Sequence, residues 1–297
     1  MSSTSSEQHS TEKTEAYYVP SQSIWPIVGA VGLFFMAFGA ARWIGGGGDQ
    51  YSWVLFLGSV IIIFMLFGWF GNVITESMSG MYSAQMDRSF RQGMSWFIFS
   101  EIMFFLAFFG ALFYARTIAV PWLGGAGNNA MTHEVLWPQF QAHWPLISTP
   151  GGTTTTAMPW QGLPLANTVI LLISSVTLHF AHINLERGLR TQVKLGLGLT
   201  VLLGCIFLFL QVEEYIHAYQ EMGLTLSSGL YGNTFFLLTG FHGLHVTLGT
   251  IILFVLFCRV LKGHFTPAQH FGFQAGSWYW HFVDVVWLCL FVFVYIL

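Results

Sequence analysis

Charge is what this 297-residue chain lacks. Asp, Glu, Lys and Arg together make up 8% of it, against about 25% in an ordinary soluble domain. So little charge cannot dress a water-facing surface, which excludes a soluble enzyme carrying a mere anchor. The formal net charge is −3, which argues against nucleic acid as a partner. Cysteine is scarce as well. Cys205, Cys258 and Cys289 fall in or at the end of apolar stretches without metal-type spacing, and read as small buried hydrophobes. No GxGxxG follows a strand, and no Walker-type Gly-Lys-Ser/Thr, GxSxG or HExxH occurs, so nucleotide and hydrolase chemistry of the soluble kind is not visible. The Ser/Thr-rich, acidic N-terminal tail lacks the basic start of a secretory signal, and no cleavage is expected there.

Hydrophobic residues take the vacated space. They form 54% of the chain, with thirty Phe and twelve Trp. A bilayer core of ~30 Å takes about twenty apolar residues as a helix. Runs of that kind predict seven spans, at 24–43, 52–74, 94–114, 165–183, 195–216, 231–257 and 276–297. The period-two alternation of a membrane barrel is absent, so helices are the element. The expectation is an all-α membrane protein with a tail at 1–23, two helices over 24–74 and five over 94–297. A loop rich in Gly, Pro, Thr and Trp, 115–162, interrupts the second group.

Basic residues orient the spans. Lys13, Arg88, Arg91, Arg187, Arg190, Lys194, Arg259 and Lys262 fall on one side, Arg42 and Arg116 on the other. The positive-inside rule then puts the N-terminus in the cytoplasm and the C-terminus and the long loop outside.

Ionisable residues at membrane depth are functional hypotheses by default. Glu101 lies about seven residues, or ~10 Å, into the third span, with no basic residue within a helical turn. His281 and Asp284 are three apart and share a face of the last span. His242 and His245 do the same in the sixth, and His179 and His182 in the fourth. Imidazole pairs at this spacing invite a haem or metal reading. They also suit hydrogen bonds that join helices, and spacing alone does not decide between the two. Glu213 and Glu214, ending the fifth span, read as a solvated rim. Trp69, Glu76, Arg91 and Arg259 sit near the expected cytoplasmic headgroup level, where Trp anchors and Arg can hold a lipid phosphate.

Two of these stretches are recognisable. Tyr231 to Phe236, running on through Thr239-Gly240-Phe241-His242-Gly243-Leu244-His245-Val246, resembles the sixth span of subunit III of the haem–copper cytochrome c oxidases. His264 to Thr266, His270 to Phe273 and the run WYWHFVDVVW from Trp278 to Trp287 resemble its seventh. Ser100-Glu101 is similar to the family's third-span carboxylate, and Trp25-Pro26 to the start of its first span. The resemblance covers about residues 17–297.

It implies a redox-inert core subunit of a proton-pumping terminal oxidase, with no catalytic centre, haem or copper of its own; those belong to partner subunits. It implies two helices splayed from five around a V-shaped cleft filled by phospholipids. Trp69, Glu76, Arg91 and Arg259 would hold lipid, His179, His242, His245 and His281 would be structural, and no residue would bind metal. Glu101 and Asp284 would be buried carboxylates. Direct contact with subunit I is implied, with subunit II in the same complex and cytochrome c as electron donor.

Two departures stand out: Gln274 replaces a usual Glu, and Thr75 an Arg common before Glu76. The long outer loop tilts the source toward a bacterial plasma membrane over a mitochondrial one. The rival from another class is a stand-alone proton channel or transporter using Glu101 and Asp284 as a relay, but the spans show no inverted repeat or broken helix pair.

Overall fold

The computed structural model describes residues 22–297. The expected tail therefore lies almost wholly outside the described residues, as does Lys13. Among the described residues seven helices are long and apolar enough to cross a membrane. They are α1 (Trp25–Ile44), α2 (Gln50–Met78), α3 (Ala84–Tyr114), α4 (Leu163–Glu186), α5 (Arg190–Gln220), α6 (Leu230–Leu261) and α7 (Phe271–Leu290). A π-helical turn, Phe291–Ile296, extends α7. The chain is therefore all-α and built to span a membrane several times.

The helices outrun the predicted spans at their polar ends. The largest difference is at α3, which starts ten residues early and carries Asp87, Arg88 and Arg91 in its first turns. Hydropathy senses only the hydrocarbon slab, whereas the backbone keeps its helical hydrogen bonds into the interface. The outer loop also differs from a plain loop. A π turn (Ala115–Ala119), a turn of α-helix (Val120–Leu123), a 3₁₀ turn (Gly127–Asn129) and a short helix (Ala130–Leu136) follow α3 directly.

The chain divides into two compact units between Phe90 and Arg91, and each is described by itself. The first holds α1 and α2, packed as an antiparallel pair. Glycine decides how near they come. A Cβ on Gly39 would lie 2.4 Å from the backbone nitrogen of Leu55, and one on Gly58 2.4 Å from that of Met36. Only a missing side chain permits that approach, the usual device for joining helices where lipid supplies no hydrophobic drive.

The second unit is centred on α7. Of the residues in its apolar stretch 61% are buried, against 33% in α4 or α5. Trp280 and Trp287 of α7 are fully enclosed. Their indole N–H groups donate to Ser174 (3.0 Å) and Thr168 (2.9 Å) of α4. Gly204 of α5 and Gly249 of α6 leave room for the Trp280 ring: a Cβ on either would meet it at 2.9 Å. The part of α3 beyond Arg91 joins through large side chains, with Phe105 against His245 and Phe282, and Phe97 against Tyr279.

Candidate functional site

Several polar side chains at depth in the second unit bridge two helices. Glu101 of α3 has a partner that no local reading shows. His245 of α6 approaches its carboxylate with Nε2 at 2.7 Å from Oε2. The other imidazole nitrogen, Nδ1, lies 2.6 Å from the carbonyl of Phe241 one turn back. A carbonyl only accepts, so Nδ1 carries a hydrogen. The contact to Glu101 then holds one shared proton, as carboxylic acid with neutral imidazole or as carboxylate with imidazolium. Either way the pair is neutral as a whole, and the expectation of an uncompensated Glu101 gives way to an inter-helix pair.

His242, one turn before His245, faces elsewhere. It is fully buried, and its Nε2 donates to the carbonyl of Val283 on α7 at 3.2 Å. The two residues three apart thus join α6 to two different helices. His281 of α7 shares a hydrogen bond of 2.6 Å between its Nδ1 and the Ser175 hydroxyl of α4. That hydroxyl also faces Asp284, but without hydrogen-bond geometry. Both Asp284 oxygens are buried and lack a partner among the described residues. His179 is exposed on α4.

At the opposite end of the unit the expectation of a solvated acid pair is half wrong. Glu213 is exposed, whereas Glu214 is fully buried and accepts from the Tyr295 hydroxyl at 2.6 Å. The sequence held a signal for this. The buried face of α5 runs Val193, Gly196, Leu197, Thr200, Gly204, Phe207, Gln211, Glu214, Ala218, a stripe of small and polar residues at helical spacing that marks the packed side. Glu214 is in phase with it and Glu213 is not. A cavity of about 540 Å³ opens beside both acids, with His217 and Glu221 on its wall.

The residues assigned to lipid divide between the units. In the first, Trp69 is exposed, and the Glu76 carboxylate accepts from the Tyr82 hydroxyl at 3.1 Å. In the second, Arg91 donates to the Gln274 carboxamide oxygen and lies 5.4 Å from the Phe271 ring centre. Gln274 thus still supplies an acceptor where a carboxylate is expected. Arg259, in the last turn of α6, sits 4.4 Å over the Phe265 ring, and its Nε has no acceptor among the described residues.

The comparisons with known proteins agree with this architecture along its whole length. The family profile of cytochrome c oxidase subunit III matches residues 15–297. The chain is 39% identical to cytochrome c oxidase subunit 3 of Gadus morhua over 286 residues, covering 96% of this chain and 98% of the relative. It is 40% identical to that of Equus asinus over 286 residues, with the same coverage. The Oncorhynchus mykiss protein of the same name is 39% identical over 285 residues, 95% of this chain and 97% of the relative. A match of this extent, on seven apolar helices, makes the chain a member of the cytochrome c oxidase subunit III family.

Proposed function

We propose that this chain is the redox-inert, lipid-binding core subunit of a proton-pumping terminal cytochrome c oxidase, and that it supports the stability and proton uptake of the catalytic subunit I. The observation that carries the reading is the family match over residues 15–297. The geometry of the second unit supports it. His242, His245 and His281 each spend an imidazole nitrogen on a neighbouring helix, which suits a scaffold better than a set of haem ligands. Haem and copper then belong to the partner subunits. Subunit I is the direct neighbour, subunit II belongs to the same complex, and cytochrome c delivers electrons to it.

Phospholipid is the ligand in this reading. The Arg259 guanidinium, held over Phe265 in the last turn of α6, suits a headgroup phosphate at the interface. Arg91, Trp69 and Glu76 are assigned to lipid with it. The membrane is a bacterial plasma membrane, with the N-terminus in the cytoplasm.

Affinity purification of a tagged chain from its native membrane tests the proposal. Subunits I and II, haem and copper should co-elute in constant ratio, with phospholipid retained after detergent exchange. Purification as a stable homogeneous protein without any haem-containing partner would refute it. A reporter fused after Leu297 should read outside the cytoplasm, and a cytoplasmic signal from an assembled fusion would reverse the orientation.

A further inference from the structure

A second cluster lies at the other end of α4, and nothing in the oxidase reading uses it. His182 and Glu186 are one turn apart on the final turns of that helix, so their side chains share a face. His270 immediately precedes α7 and is its N-cap residue. The chain leaves α4 and returns 84 positions later (from 186 to 270) to set these three side chains together. One ligand-capable atom from each lies within 4.8 Å of the other two. His182 Nε2 is 3.8 Å from Glu186 Oε1, and the two imidazole rings are 5.7 Å apart.

The distances leave a gap of a particular size. At 3.8 Å the imidazole and carboxylate are too far apart for a good hydrogen bond. His182 Nε2 and His270 Nδ1 are both buried, and neither has a partner among the described residues. Leaving a buried imidazole nitrogen unmatched costs about 1–3 kcal/mol, and here the two histidines that carry such nitrogens lie within metal-ligand reach of one carboxylate. A single cation between them would satisfy all three.

We propose that His182, Glu186 and His270 form a site for one divalent transition-metal ion, Zn²⁺ in the first place. The donor set selects the ion. Two imidazoles and one carboxylate suit borderline metals, whereas Ca²⁺ and Mg²⁺ prefer oxygen alone. Zinc bonds of ~2.0–2.2 Å put tetrahedral ligand atoms roughly 3.3–3.5 Å apart, so side-chain rotations of about an ångström complete the site. The Glu186 side chain is 57% exposed, which leaves the fourth position to water. A bound ion would clip the end of α4 to the start of α7, the helix at the centre of its unit. The sequence reading expects no metal ligand here, and the inference does not depend on the oxidase assignment.

The test uses the full chain in detergent, stripped with a chelator and equilibrated with Zn²⁺. Equilibrium dialysis should give one tight equivalent, and X-ray absorption two imidazole nitrogens with one or two oxygens at ~2.0–2.1 Å. The variant H182A/H270A should lose that equivalent, while H179A, altering an exposed histidine on the same helix, should keep it. E186Q should weaken affinity at least ~10-fold, since loss of even an outer partner of a metal ligand has that effect. Should the double variant not fold, H182Q and H270Q should each weaken zinc binding on their own, and X-ray absorption of the unaltered chain still reads the ligand set. Equal zinc in the double variant, a spectrum without two imidazole nitrogens, or no tight equivalent at all would overturn the site and leave a water-bridged cluster.

Discussion

The bond between Glu101 and His245 makes the sharpest prediction about stability. It is the polar link from α3 to α6, at 2.7 Å, between side chains 23% and 11% exposed. Replacing Glu101 by Leu removes the partner and leaves His245 Nε2 without one. In a protein interior that costs about 1–3 kcal/mol. Inter-helix polar pairs in membrane proteins measure lower, averaging ~0.6 and reaching ~1.7 kcal/mol, because the unfolded segments find other partners in the bilayer. The partial exposure of Glu101 pulls in the same direction, so ~1–1.5 kcal/mol is expected for Glu101→Leu. Glu101→Gln differs in kind. With Nδ1 held by Phe241, Nε2 of neutral His245 accepts, and a Gln amide can donate to it. The bond survives without its charge-assisted character, and the loss should stay below about 1 kcal/mol.

Reversible unfolding in mixed micelles, run as a double-mutant cycle with His245→Phe, reads these numbers directly. Coupling of ~1 kcal/mol with Leu and appreciably less with Gln is the expected pattern. In the assembled oxidase Glu101→Gln should keep oxygen reduction nearly intact. Equal losses for Leu and Gln, or strictly additive single effects, would show that the bond contributes nothing. Abolished turnover in a fully assembled Gln variant would make Glu101 a proton donor, and the scaffold reading would fail.

Three further outcomes follow from packing and charge. Gly39→Ala must move α1 and α2 apart, because its Cβ would sit 2.4 Å from the Leu55 nitrogen. It should cost about 1–3 kcal/mol, whereas Gly71→Ala, with nothing within 4 Å, should be neutral or up to ~1 kcal/mol stabilising; thermal melts of the two variants compare them. Tyr295→Phe strips Glu214 of its hydrogen bond in a buried site and should cost about 1.5–3 kcal/mol by the same melts, while Glu213→Gln on the exposed side should stay within ~0.5 kcal/mol. Arg259→Ala should lower the retained phospholipid counted by mass spectrometry, and Arg259→Lys should restore it only in part, because an ammonium lacks the planar face that stacks on Phe265; unchanged lipid in the Ala variant would remove Arg259 from the lipid assignment.

How much of this was legible in the sequence depends on the range of the physics. Span number and type were, because the bilayer imposes a length and a composition on each segment separately. Helix ends were not, since α3 continues through Arg88 and Arg91 where hydropathy has already fallen. Partners were not either. Glu101 and His245 are 144 residues apart, and nothing near Glu101 in sequence shows that an imidazole waits on α6. His242 and His245 look like a pair by spacing, yet one faces α7 and the other α3. Glu214 is the instructive case between these extremes. Its burial was readable from the phase of the small and polar stripe on α5, but two adjacent acids at a helix end suggest water, and that reading took precedence.

The same stripe explains why buried polarity is a weak pointer to function in this molecule. A soluble core hides its apolar residues, whereas here Phe34, Phe64, Phe67 and Leu195 are exposed and Thr168, Ser174, Thr200, Thr239 and His242 are buried. Lipid replaces water outside, so only polar and small groups distinguish one helix face from another. Most of them then have a structural reason to be where they are. Trp287 uses Thr168, Trp280 uses Ser174, Thr200 meets Thr177 at 2.8 Å, and Thr239 meets Tyr215 at 2.7 Å. A functional hypothesis gains weight only where such an explanation runs out. It does so at Asn167, Gln211, Ser277 and Asp284, whose side-chain polar atoms have no hydrogen-bond partner among the described residues, and again at His182 and His270. Asp284 is enclosed by its own unit beside Ser175. At His182 and His270 the nearby Glu186 carboxylate is 57% exposed, so an ion can be held there with water as a further ligand, which the enclosed middle of α7 does not offer.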